Sequence, residues 1–113
     1  MAGTIRRIAG PAFLPSSVGN LYTPPASTIY TVMKHIHFFN VSASPVTINV
    51  YIGASGASAA GSQLFDTFEI EANQPYDYFM GSGTRMDSTD FLTGSASVAS
   101  AVTYTIDGEL VVV

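Results

Sequence analysis

The sequence predicts an all-β fold: an antiparallel β-sandwich, jelly-roll-like, of six to eight short strands. Three observations point there. Apolar and polar residues alternate with period two, most cleanly where Val46, Ile48, Val50 and Ile52 interleave with Thr47, Asn49 and Tyr51. Clusters of Gly, Pro, Asn, Asp and Ser interrupt these runs at short intervals. No stretch of useful length carries the 3.6-residue period of a helix. Many short strands with regular turns define a sandwich or closed double-sheet fold.

Residues 1–27 read as an extended N-terminal arm and residues 28–113 as the sandwich domain. Pro11, Pro15, Pro24 and Pro25 fix φ and remove donors from the arm, leaving room for at most a short strand near Asn20–Thr23. Ile5, Ile8, Phe13, Leu14, Val18 and Leu21 make the arm too apolar for a solvated tail, so it is expected to lie on its own domain or on a neighbour.

Ile29–Asn40 is dense in β-branched and aromatic residues. A regular strand would put Tyr30, Val32, Ile36 and Phe38 on one face and Met33, His35, His37 and Phe39 on the other. A turn at Ser42–Pro45 leads into the strand Val46–Ile52, and Gly53–Ser62 is a loop of small residues. Leu64–Ile70 gives the next strand, and Asn73-Gln74-Pro75 turns the chain into Tyr76–Met80. Gly81-Ser82-Gly83 is expected to turn it again, with Met86, Phe91 and Leu92 feeding the core from short strands around 84–95. Val102, Tyr104 and Ile106 alternate with Thr103, Thr105 and Asp107; Asp107-Gly108 signals a hairpin or a bulge, and an apolar end, Glu109–Val113, follows.

Composition narrows the function. The 113 residues suit one domain, and only 11% are charged, against about 25% in ordinary globular domains. Such a surface sheds water at little cost when another chain covers it, which favours a building block over a free enzyme. With a net charge of -4 and only Arg6, Arg7, Lys34 and Arg85 basic, no nucleic-acid surface is expected. No apolar run reaches the roughly 20 residues of a membrane span. The absence of cysteine excludes disulfides and thiolate metal sites. Pro11 and Pro15 interrupt the apolar stretch after Arg6 and Arg7, so a retained N-terminus is expected rather than a cleaved signal.

Candidate chemistry is sparse. His35 and His37, two apart on a strand, share one face and could begin a metal site, but no further ligand is dictated; two polar histidines on a solvent or interface face are the preferred reading. Asp87-Ser88-Thr89-Asp90 offers oxygens to calcium yet lacks a calcium-loop ladder, and turn chemistry accounts for it. The chain has no Trp for a sugar groove and no Gly-x-Ser-x-Gly elbow with a histidine to follow, so no catalytic residue, metal or cofactor is assigned. Arg6 and Arg7, the densest positive charge, are either solvated or docking groups. Their apolar neighbours favour docking, with Ile5, Arg6, Arg7, Ile8 and Phe13 as the contact residues.

Two segments carry a family resemblance. The run from Tyr22-Thr23-Pro24-Pro25-Ala26 through the strand ending at Asn40, the Ser/Ala turn and the Val/Thr strand to Ile52 resembles the opening of small tailed-bacteriophage virion proteins. Val98–Leu110, with Thr105-Ile106-Asp107-Gly108-Glu109, is similar to the family's closing strand. Residues 22–52 and 98–110 together make up about 40% of the chain. The segment Gly83–Asp90 departs from the family's shorter Ala-Gly-Asp turn. The resemblance implies a non-catalytic virion component, a capsid decoration or cement protein with other virion proteins, above all the major capsid protein, as partners, and a homo-oligomer, a trimer being favoured. A tail, collar or fibre adaptor and a carbohydrate-binding module are the alternatives.

Overall fold

The structure, a computed structural model, describes residues 5–53 and 63–112, apart from the side chains of Phe65 and Asp66. Beyond Gly53, the expected small-residue loop lies outside the described residues. Eight strands appear: β1 (Arg6–Phe13), β2 (Gly19–Tyr22), β3 (Thr28–Asn40), β4 (Val46–Gly53), β5 (Gln63–Ile70), β6 (Pro75–Asp87), β7 (Phe91–Ala96) and β8 (Val102–Val112). They form two four-stranded sheets in the orders β1-β8-β3-β6 and β2-β7-β4-β5, antiparallel throughout. Apart from the β4–β5 pair, every connection crosses from one sheet to the other. This is the jelly-roll arrangement, and the predicted fold class holds.

The alternation read from the sequence builds the core. Met33, Ile36, Phe38, Val102 and Ile106 from one sheet meet Val46, Ile48, Val50 and Leu92 from the other, all almost completely buried. Each such side chain contributes roughly 1.5–3 kcal/mol by leaving water. Buried polar groups are tied between the layers: Tyr22 Oη lies 2.7 Å from Thr31 Oγ1, and Tyr104 Oη donates to the Leu21 carbonyl at 3.1 Å. Burial pushes the Tyr104 phenol up. Asn40 is fully buried: Nδ2 donates to the carbonyls of Ser44 (2.8 Å) and Ile70 (3.0 Å), while Oδ1 accepts from the Ser42 amide and hydroxyl.

Three expectations are corrected. The division at residue 27 does not set an arm apart from a sandwich, because β1 and β2 are the edge strands of the two sheets, and Leu14 after β1 and Leu21 in β2 are core residues. Proline permits this because an edge strand needs only half its donors; the β1–β8 register shifts between Ala9 and Ala12, around Pro11. Gly10 has φ +82, and a Cβ there would stand 2.3 Å from the Tyr104 carbonyl oxygen, so only glycine allows this approach.

Second, β3 does not keep one parity. Its buried residues are Thr31 and Met33, then Ile36, Phe38 and Asn40, so Met33 is a core residue and Tyr30 and Val32 are not. Both of its ladders shift register between Met33 and His35, a β-bulge at Lys34 that turns the strand over. Gly108, opposite Met33, is where β8 closes on the bulge: a Cβ would meet the Val32 carbonyl oxygen at 2.3 Å.

Third, Gly81-Ser82-Gly83 does not reverse the chain. Both glycines adopt positive φ, and the extra residues are absorbed as an irregularity opposite Met33–His35, so β6 runs on to Asp87 as one strand.

Candidate functional site

β1 carries the residues expected to dock a partner. Arg6 lies opposite Gly108 and Arg7 opposite Asp107, half-way along the sheet edge. Ile5 and Phe13 are exposed, at 59% and 48%, and flank the strand at its two ends. Ile8 is instead half-buried and packs on the core. A pocket of about 370 Å³ opens beside the strand, lined among others by Arg6, Arg7, Leu21, Tyr22 and Leu110, with no acid in its wall. Lys34 faces Glu109 at 3.7 Å and Arg85 faces Asp87 at 3.1 Å. Arg6 and Arg7 form no ion pair with any described residue. The structure therefore keeps four of the five together only as points along one strand, and makes the arginines the unneutralised bases of the described surface.

The histidines form a second constellation, on the outer face of the sheet β1-β8-β3-β6. Past the Lys34 bulge, His35, His37 and Phe39 face outward from β3, as the spacing implied. The flanking strands bring Asp77 and Phe79 of β6, and Asp107 of β8, to the same level. Asp77 Oδ1 accepts from His37 Nδ1 at 2.6 Å and from His35 Nε2 at 2.8 Å, and His35 Nδ1 lies 3.3 Å from Asp107 Oδ2. With a carboxylate on each ring nitrogen, His35 can donate both hydrogen bonds only as the doubly protonated ring. Hydrogen bonds from His37 and His35, in that order, hold the Asp77 carboxyl below its ordinary value against a small opposing effect of burial. Phe79, 72% exposed, stacks on His35 with ring centroids 4.5 Å apart.

Sequence reasoning had the histidines but missed Asp77 and Phe79. They lie 40 or more residues away along the chain, and nothing local marks them; only the β3–β6 register joins them to the histidines. Asp107 shares its parity with Thr103 and Thr105, opposite to Val102, Tyr104 and Ile106, and pairs with His35 once β8 is set beside β3. No group of three or more His, Cys, Asp or Glu among the described residues is arranged to hold a metal ion. At the calcium candidate, Asp90 Oδ2 accepts the Asp87 amide at 2.9 Å and Asp87 accepts from Arg85. Those are the bonds of a turn. The site as a whole can bind by stacking, hydrogen bonding and charge on an open sheet face and along its edge.

Neither protein-family models nor curated proteins match this chain. Among solved structures it is similar to the Bacillus endospore appendages described as a novel family of disulfide-linked pili, with 12% identity over 100% of this chain and 91% of that one, at TM-score 0.51. It is also similar to a chain of infectious bursal disease virus Gx strain, with 11% identity over 95% of this chain, at TM-score 0.49; the match spans 30% of that longer chain. At these identities the first likeness is one of fold.

Proposed function

We propose that this protein is a structural subunit of a virion or pilus-like assembly, specifically a capsid decoration protein that acts by contact and not by catalysis. One observation carries the reading: a chain with 11% charged residues leaves Phe79 72% exposed on an open sheet face, stacked on a histidine locked by two aspartates. A large aromatic ring held rigid in water is what an interface anchor requires before its partner arrives. The fold shared with pilus subunits supports a structural role. The disulfide linkage named for those pili has no counterpart in this sequence, which has no cysteine. Binding the assembled lattice and not its free subunits would stabilise that lattice by mass action.

Quantitative mass spectrometry and immunogold labelling of purified particles test this. Decoration predicts labelling over the whole shell and a copy number matching its lattice. Label confined to a tail moves the site, and particles without the protein overturn the reading.

A further inference from the structure

The two side walls of the sandwich differ in charge. One wall is the edge strands β1 and β2, which contact each other across the layers. Their sequences, RRIAGPAF and GNLY, hold two arginines and no acid. The opposite wall is the edge strands β5 and β6, joined by Phe68 and Tyr76 with ring centroids 4.3 Å apart. Among the described side chains these strands carry Glu69, Asp77 and Asp87 against the single base Arg85, and Glu71 follows β5 directly.

Internal pairing sharpens the contrast. Arg85 is neutralised by Asp87, and Asp77 is engaged by the histidines. What remains uncompensated is Arg6 and Arg7 on one wall and Glu69 and Glu71 on the other, all four exposed and none in an ion pair with a described residue. Beside the arginines the pocket of about 370 Å³, walled in part by Leu21, Tyr22 and Leu110, offers a recess for a partner's side chains. A molecule measuring 44 × 26 × 22 Å has walls long enough to cover the roughly 800 Å² per partner of a standard interface.

We propose that a second copy of this chain is the partner of the β1/β2 wall: copies associate side by side, the β1/β2 wall of one against the β5/β6 wall of the next, with Arg6 and Arg7 meeting Glu69 and Glu71. The contact joins two different surfaces, so it repeats, either closing into a ring or continuing as a row. This deepens the assembly reading and rests on it. Charge here selects the partner and its direction, with apolar wall residues completing the contact.

The test is a charge swap read by sedimentation velocity at low salt and high protein concentration. The variant Arg6→Glu/Arg7→Glu carries acid on both walls, and Glu69→Arg/Glu71→Arg sets two bases where the β5/β6 wall had its unpaired acids. Each alone should self-associate about tenfold more weakly than the parent, or less still. An equimolar mixture should recover association, because every wall of one variant then finds its opposite on the other. All four residues are exposed, and unchanged circular dichroism and melting will show that both variants fold. A parent chain that stays monomeric, variants that associate as well as the parent, or a mixture that recovers nothing would each overturn the wall-to-wall contact. Particle labelling is unaffected by that outcome, so the two proposals fail separately.

Discussion

Phe79 lies against His35 with 15° between the ring planes, although it comes from a different strand and is the most exposed large apolar side chain of the described surface. Such a ring contributes little to folding where it stands. Phe79→Ala should change the unfolding free energy by no more than about 0.5 kcal/mol, as surface substitutions do. If the ring is an interface anchor, the same variant should lose occupancy on particles, measured by competition with the parent protein. A large drop in melting temperature would instead make Phe79 a folding residue.

The pH dependence follows from Asp77. Its carboxyl sits below the ordinary 3.8 because His37 and His35 donate to it. A folded-state value below the unfolded one stabilises above the unfolded value, and that contribution disappears as pH falls through the folded value. Denaturant midpoints of the parent and Asp77→Asn should therefore differ at neutral pH and converge below about pH 4. The gap will be small, since Asp77 is largely solvated and its interactions are screened. A gap that widens in acid would contradict the assignment.

Asn40 offers the sharpest stability test. Its side chain serves the carbonyls of Ser44 and Ile70 and the amide and hydroxyl of Ser42 from a fully buried position. Asn40→Ala should cost about 3 kcal/mol in urea unfolding, because the buried Ile70 carbonyl loses a bond that water cannot readily replace and the Ser42–Ser44 turn loses its anchor. Asn40→Asp should not rescue it, since a carboxylate would face carbonyl oxygens where the amide donated.

Two glycines separate close approach from backbone conformation. Gly108→Ala forces a methyl to 2.3 Å from the Val32 carbonyl oxygen and should destabilise by about 1–3 kcal/mol. Gly81→Ala meets nothing within 4 Å and suffers only from φ +59, which costs about 1 kcal/mol. The order of the two denaturant midpoints checks this.

What could be read in advance follows the physics of each signal. Period-two alternation gives strands their inner faces directly, so Val46, Ile48 and Val50 are legible as inward residues, while Ile52, of the same parity, is only half-buried at the strand's end. A bulge is invisible to that method, because Lys34 breaks the count only through pairing with two other strands. The prolines of residues 1–27 argued against regular structure by their local cost, whereas pairing with β8 outweighs that cost. The same limit governs the site. His35 and His37 advertise themselves by spacing, but Asp77 and Phe79 reach them by a register that no short window encodes.

The position of β8 between β1 and β3 has a consequence for how the molecule is made. A ribosome delivers residues 102–112 after the other seven described strands, and until then β1 has no described ladder to join and β3 lacks its β8 neighbour. β1 and β8 must find each other across about a hundred residues, a topology that folds slowly. During that wait nascent chains would be prone to pair with one another, so yield in the cell should depend on chaperones that keep incomplete chains apart.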